Sequence, residues 1–221
     1  MFKIDKFTRT KRRTISLTVE RDGSLTVRAP LRMPQAMIEE FIQQKADWIM
    51  RTREKLNAIV TAPARRYADG EKFPFLGSVF DLKLVTSQRP ALQFDNGFTL
   101  GRNAQSKGRQ YFVTWYKQRA YEVISERVRE YSRKYDFSPK RVRISSAKTR
   151  WGSCSPDGTL NFTWRLVMAP LEVIDYVIVH ELAHLRVRNH SDRFWKVVAS
   201  IEPDYKRKRK WLRDNGEGLN L

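Results

Sequence analysis

The chain has 221 residues, of which 41% are hydrophobic and 12% aromatic, enough to bury a core in one large domain or two small ones. Its 43 lysine and arginine residues against 24 acidic residues give a formal net charge of +19, which favours acidic or polyanionic partners and says nothing about the fold. No apolar run approaches the roughly 20 residues that span a bilayer, and a single cysteine, Cys154, excludes an internal disulfide. We therefore expect a soluble cytoplasmic protein with no membrane partner.

The first half of the chain is predicted to contain strands and one helix. Two alternating, β-branched runs, TISLTVE and SLTVRAP, flank an Asp-Gly turn and predict a hairpin. Residues 34–56 place apolar side chains at helical spacing, with glutamates early and basic residues late, as the helix dipole favours. The segments PFLGSVFDLKLV and ALQFDNGFTLG predict further strands.

The second half is predicted to be mainly helical around a small sheet. A long helix is expected over residues 111–135 and a short strand, RVRI, over residues 141–144. The segment TRWGSCSPDGTLNFTWRLVMAP predicts a turn-rich stretch, a hairpin with a Pro-Asp-Gly turn and a strand. Pro170 opens the helix LEVIDYVIVHELAHLRV, and two shorter helices follow, from about Ser191 and past Pro203.

This order of elements predicts an α+β protein. The strand-rich stretch with one helix is expected to form an N-terminal region over residues 1–105. The remaining residues, 106–221, are expected to form the catalytic domain, either separately or within one continuous domain.

All three histidines of the chain lie in the stretch VIVHELAHLRVRNH. His180 and His184 are four residues apart, so on a helix they lie on one face and their ring nitrogens can converge on one ion, for which zinc is the usual choice. Glu181 is rotated about 100° around the helix and can reach a metal-activated water without binding the ion. The pattern HExxH therefore predicts hydrolysis with Glu181 as general base.

The obvious third ligand is His190. On a continuing helix it would lie about 9 Å further along the axis and off the ligand face, so the helix must end between about Leu185 and Asn189. Asn189 tolerates a left-handed conformation at a helix end, and Ser191 is suited to cap the next helix. Glu202, in IEPDY, is the alternative third ligand.

Residues 150–195 resemble the YgjP-like metallopeptidases, which are relatives of the SprT-like and WLM zinc peptidases. The segments RWGSCS, RL-x-x-AP, YV-x-x-HELAHL and NHS-x-x-FW occur in order, and the first half of the chain is similar less sharply. The resemblance implies a zincin-like fold with a small sheet packed on the HExxH helix, and a protein or peptide substrate. It implies zinc bound by His180, His184 and His190, with Glu181 as the base. Metzincins differ, since they place glycine where this chain has Val187.

Several other residues are candidates for substrate binding. Arg150 could steady an oxyanion or a substrate carboxylate, or form a surface ion pair. Asn161 could hold a ligand or the substrate backbone. Tyr176, one turn before His180, is expected either to pack or to donate a hydrogen bond near the metal. An edge strand over residues 160–166 could pair with an extended substrate.

The basic charge leaves two alternatives open. One is a peptidase that acts on proteins attached to DNA, with nucleic acid bound by the basic surface. The other is a nucleic-acid-binding protein whose zinc site is structural. The complete HExxH motif favours the peptidase, because a structural site has no need of Glu181.

Overall fold

The computed structural model describes residues 3–20, 22–61 and 65–221 and divides the chain into two units, Met1–Ala64 and Arg65–Leu221. The division therefore lies earlier in the chain than the expected one after residue 105. The reason is that strands within residues 72–101 share their core with the long helix that follows them. Assignment of catalysis to residues 106–221 stays a prediction. Among the described residues, no helix is both long and apolar enough to cross a bilayer.

The first unit contains the predicted hairpin, which is confirmed, and two helices where one was expected. Its elements are β1 (Lys6–Thr10), β2 (Ser16–Val19), β3 (Leu25–Pro30), α1 (Gln35–Gln44) and α2 (Ala46–Thr61). Strand β3 lies between β1, which is parallel to it, and β2, which is antiparallel. The helix breaks at Lys45, where φ is −101° and ψ is 9°. Lysine is a good helix former, so its identity does not signal the break.

The second unit begins with a four-stranded sheet. Its elements are β4 (Lys72–Phe75), β5 (Ser78–Val85), β6 (Leu92–Phe94) and β7 (Phe98–Gly101), in the order β4-β5-β7-β6. The long helix α3 (Gly108–Tyr135) follows and shares an aromatic core with them. The rings of Phe73 and Phe112 stack at 3.9 Å between centroids. Side chains of this sheet and of α3 therefore form one core.

A second, three-stranded sheet and three helices complete this unit. They are β8 (Arg141–Ser145), β9 (Gly152–Cys154), β10 (Thr159–Thr163), α4 (Leu171–Ala183), α5 (Asp192–Ile201) and α6 (Tyr205–Asn215). The order β8-β10-β9 puts β10 in the centre. The expectation that residues 160–166 form an edge strand is therefore wrong. Residues 164–168 leave the strand as a 3₁₀ helix, and β8 and β9 are the two edge strands. The α+β prediction is confirmed.

Helix α4 is held on nearly all sides. It contacts α3, α5, α6 and β9, and ten of its 13 residues are buried, as its almost continuous apolar sequence requires. Its buried Asp175 accepts two hydrogen bonds from Arg127 of α3, at 2.7 and 2.6 Å. This bidentate pair fixes α4 along α3. The helix that carries HExxH is thus a rigid support.

Candidate metal centre

The three histidines come together at the C-terminal end of α4. Nε2 of His190 lies 3.0 Å from Nε2 of His180, and one ring nitrogen from each of the three histidines lies within 4.8 Å of the others. Nitrogens that bind one tetrahedral zinc at about 2.0–2.1 Å lie roughly 3.3 Å apart. The observed spacing is therefore of the size that a single ion requires. No other group of this kind occurs among residues 3–20, 22–61 and 65–221.

The chain turns back after α4 by a short hydrogen-bonded turn. Helix α4 ends at Ala183, slightly before the expected range, and the backbone N–H of Val187 donates to the Ala183 carbonyl at 2.9 Å. Asn189 is not left-handed, so that expectation is wrong. Its side-chain oxygen instead accepts from the N–H of Ser191 at 3.3 Å. Ser191 stands at the expected N-cap position of α5, but its side chain makes no capping hydrogen bond. The turn, rather than a left-handed residue, directs His190 back to the site.

The carbonyl of Val187 orients one of the rings. Nδ1 of His184 lies 3.1 Å from this carbonyl oxygen, which can only accept a hydrogen bond. The proton of neutral His184 therefore sits on Nδ1, and the lone pair of Nε2 remains available to a metal. Val187, named above only because metzincins have glycine there, thus orients the ring of the predicted ligand His184.

Two aromatic residues of α5 pack against the imidazoles. Phe194 is fully buried, and its ring centroid lies 4.9, 4.5 and 4.8 Å from those of His180, His184 and His190. Trp195 stacks on His190 at 5.8 Å. Sequence reasoning gave neither residue a role, although both belong to the NHS-x-x-FW segment. The apolar residues of the short helix α5 recur at helical spacing, and this pattern could have predicted that Phe194 faces the interior.

The protonation states suit a metal. Burial lowers the pKa of His180 to about 3 and also lowers the pKa of His184, and the neighbouring imidazoles add to the effect. Both rings are therefore neutral at pH 7, as ligands must be. Nδ1 of His180 is buried without a hydrogen-bond partner in the described chain. The two facing Nε2 atoms are a pair of lone-pair donors that one cation between them would satisfy, whereas Nδ1 of His180 stays without a partner.

Glu181 is buried between α4 and β9, with 5% of its surface exposed. Burial raises its pKa to about 8, while the charge of Arg150 and the backbone N–H of Cys154 act in the opposite direction. Gly152 of β9 leaves room for the carboxylate, because a Cβ there would lie 2.6 Å from Oε1 of Glu181. The sequence alone did not single out Gly152. The available signal was a glycine in the segment WGSC, since glycine often marks a place where another group comes close to the backbone.

The remaining candidates lie elsewhere. Arg150 and Asn161 line a cavity of about 370 Å³ that residues of β8, β9 and β10 also line, and its lining includes none of the histidines. Cys154 is a half-buried thiol outside the histidine cluster. The carboxylate of Glu202 accepts hydrogen bonds from Tyr131, at 2.9 Å, and from Lys208. Glu202 is therefore committed to other partners and does not join the three histidines.

Comparison with known proteins identifies the family. A family model described as a YgjP-like metallopeptidase domain matches residues 13–215. The chain is also similar to a solved structure, the crystal structure of the metallopeptidase zymogen of Pyrococcus abyssi abylysin, at 23% identity over 41% of this chain and 93% of that chain, with a TM-score of 0.37. None of the curated proteins matches the chain. Because the family model spans nearly the whole chain, this protein belongs to the YgjP-like metallopeptidase family and is a metal-dependent peptidase.

Proposed function

We propose that this metallopeptidase is a zinc enzyme of the HExxH type. The observation that carries the proposal is the convergence of three imidazoles beside a buried carboxylate. His180, His184 and His190 would hold the ion, since three protein ligands with one open position are typical of catalytic zinc. A bound zinc ion supplies Lewis acidity, which polarises the carbonyl to be cleaved and makes a nearby water more acidic.

Glu181 is the proposed general base. Its carboxylate takes the proton of the attacking water and returns it to the nitrogen of the leaving amine. Burial raises the pKa of this carboxyl group to about 8, so it holds a proton taken from the water more firmly than an exposed glutamate does. The gap at Gly152 gives the carboxylate its room, and the N–H of Cys154 favours its charged form.

We further propose that β9 aligns the substrate backbone, in place of the strand expected from the sequence. The carbonyl of Trp151 accepts from the N–H of Thr163, and the N–H of Ser155 donates to the carbonyl of Thr159, so these residues face β10. In an antiparallel pair the alternate residues direct their main-chain groups to the other side. Gly152 therefore presents an N–H and a carbonyl along the outer edge, next to Glu181, where an extended peptide could pair.

The zinc and base assignments can be tested together. We expect about one zinc per chain in the wild type and in Glu181→Gln, with cleavage of denatured proteins at least about a hundredfold slower in the variant. Elemental analysis and mass spectrometry of the products measure the two quantities. His190→Ala should weaken zinc binding, whereas Glu202→Gln, which keeps an acceptor for Tyr131, should leave it unchanged. Equal cleavage by wild type and Glu181→Gln would contradict the proposal.

Two finer expectations rest on composition. The net charge of +19 supports binding to nucleic acid, which would bring the peptidase to DNA-bound proteins. The single cysteine supports a reducing compartment such as the cytoplasm. Binding of a DNA duplex should weaken steeply as salt increases. No binding at low salt would remove the nucleic-acid expectation.

A further inference from the structure

We propose that a cavity beside the metal centre binds a carboxylate of the substrate, from an acidic side chain near the cleaved bond or from the C-terminus of the peptide. The enzyme would then prefer peptides that place a negative charge there. This inference rests on the proposed peptidase function and adds a substrate class to it.

The cavity has a volume of about 320 Å³ and is bounded by α4, β9 and α6. His180 and Glu181 line one end, so a group held in it is close to the proposed chemistry. Trp151 and Leu212 provide apolar walls. Trp151 is held closely by the backbone of Gly216, where a Cβ would lie 2.6 Å from Cζ2 of the indole. The cavity is thus a shaped recess with a fixed wall.

Positive charge dominates the lining. Arg209 and Arg213 of α6 contribute two guanidinium groups, and Glu181 is the single acidic residue among the lining residues. Arg213 pairs with Asp214 at 3.3 Å. Arg209 pairs with no carboxylate in the described part of the chain, and its guanidinium lies over the ring of Trp195, 5.0 Å from the centroid. Stacking orients a guanidinium while leaving its N–H groups free to bind a carboxylate.

Three acidic residues on or next to the neighbouring helices are already paired: Glu172 with Arg207, Asp175 with Arg127, and Glu202 with Lys208. None of these carboxylates lines the cavity. Arg209 forms no ion pair among the described residues, and the two arginines of the lining outnumber its one acidic residue, Glu181, so the fixed charges favour an anion from outside.

Tyr176 adds an independent observation. It lines the cavity, and the described residues offer its hydroxyl no hydrogen-bond partner. Although the residue as a whole is 5% exposed, its hydroxyl is not among the buried unpartnered oxygens, so a ligand in the cavity can reach it. A substrate carboxylate would accept from this hydroxyl and from the guanidinium of Arg209, and such charge-assisted bonds are the strong ones.

Matched peptides test the preference. We would compare kcat/KM for pairs of peptides, all with amidated C-termini. Within a pair, one position near the cleaved bond carries glutamate in one peptide and glutamine in the other. We expect the glutamate peptide to be favoured by about tenfold or more at one position. A third peptide with glutamine and a free C-terminus separates the two sources of carboxylate. The double variant Arg209→Gln/Arg213→Gln should reduce the ratio to near one.

Two further variants control for charge and for packing. Arg207→Gln removes the same charge from the same helix outside the cavity and should leave the ratio unchanged. Tyr176→Phe removes one oxygen without changing charge and should lower the ratio. An equal loss for acidic and neutral peptides in Tyr176→Phe would overturn its role. Cleavage by wild type without any carboxylate preference, or a preference that persists in the double arginine variant, would overturn the proposal.

Binding distinguishes this proposal from the proposed function. The zinc-loaded Glu181→Gln variant is titrated with the same peptides by fluorescence anisotropy. An arginine-dependent preference for the carboxylate in peptides that wild type does not cleave would support the cavity and contradict the catalytic assignment. Cleavage by wild type with no preference for the carboxylate, in binding or in turnover, would support the catalytic assignment and contradict the cavity proposal. A carboxylate bound by the zinc alone would not depend on Arg209.

Discussion

Gly152 lies directly against the carboxylate of Glu181. A Cβ at this position would lie 2.6 Å from Oε1 and 2.7 Å from Cγ of Glu181. The φ angle of Gly152 is not positive, so space rather than backbone conformation requires glycine here. A side chain at this position would displace the proposed base while leaving the imidazoles in place.

We therefore expect Gly152→Ala to lower kcat by about tenfold to a hundredfold, because a displacement of about 1 Å has that effect on a positioned catalytic group. Zinc content should remain that of the wild type. Gly218→Ala is the matched control, since a Cβ at Gly218 meets nothing within 4 Å. Steady-state kinetics and elemental analysis measure both. Full activity in Gly152→Ala would show that Glu181 does not depend on this gap.

The raised pKa of Glu181 makes stability of the metal-free protein depend on pH. Burial raises this pKa from 4.5 to about 8, so between these values the folded state keeps a proton that the unfolded state has released. Stability is thus fully present below about pH 4.5 and is lost as pH rises through about 8. Glu181→Gln removes this pH-dependent loss of stability, because glutamine has no carboxyl group to ionise.

We expect metal-free Glu181→Gln to be more stable than metal-free wild type by about 2–4 kcal/mol at pH 9, and by much less at pH 5. Urea unfolding after treatment with a chelator measures the difference. His180, whose lowered pKa destabilises the folded state as pH falls below 6.5, is present in both proteins and cancels. A difference that does not change with pH would show that the carboxyl group is not desolvated.

At the scale of elements, α4 depends on its ion pair with α3. Arg127 donates to both carboxylate oxygens of the buried Asp175, and it also pairs with Glu130. Removal of one partner from a buried pair leaves an uncompensated charge. The position of the helix that carries HExxH therefore depends on a contact distant from the histidines in sequence.

We expect Arg127→Met to destabilise the protein by about 3 kcal/mol. The double variant Arg127→Met/Asp175→Leu should recover much of this loss, because no charge is then left buried. Lys210→Gln, which removes an exposed pair with Asp214, should cost less than about 1 kcal/mol. Urea unfolding of the three variants measures these values. Equal losses in the single and double Arg127 variants would indicate a packing effect instead.

At the scale of the whole molecule, local patterns predicted more than long-range ones. The α+β class and the hairpins follow from periodicity and turn residues, and HExxH points to the candidate site because helical spacing alone brings His180 and His184 together. The turn that brings His190 back towards the other two histidines could be anticipated, because a continued helix would hold His190 too far from them. Tertiary contacts decide the rest. The break at Lys45 has no local signal, whereas residues 57–65, with Pro63, have the composition of a connector and so do mark the division after Ala64. The central place of β10 depends on pairing with both neighbours.

The short β9 has a consequence for self-association. An exposed sheet edge is a template on which a second copy of a chain can add a strand. Within the described residues, this edge spans only Gly152–Cys154, and only Gly152 and Cys154 direct main-chain groups away from β10. Two residues are too few to support an intermolecular sheet, yet they suffice for the proposed alignment of a peptide that other groups also hold. The edge can thus bind a substrate without promoting aggregation.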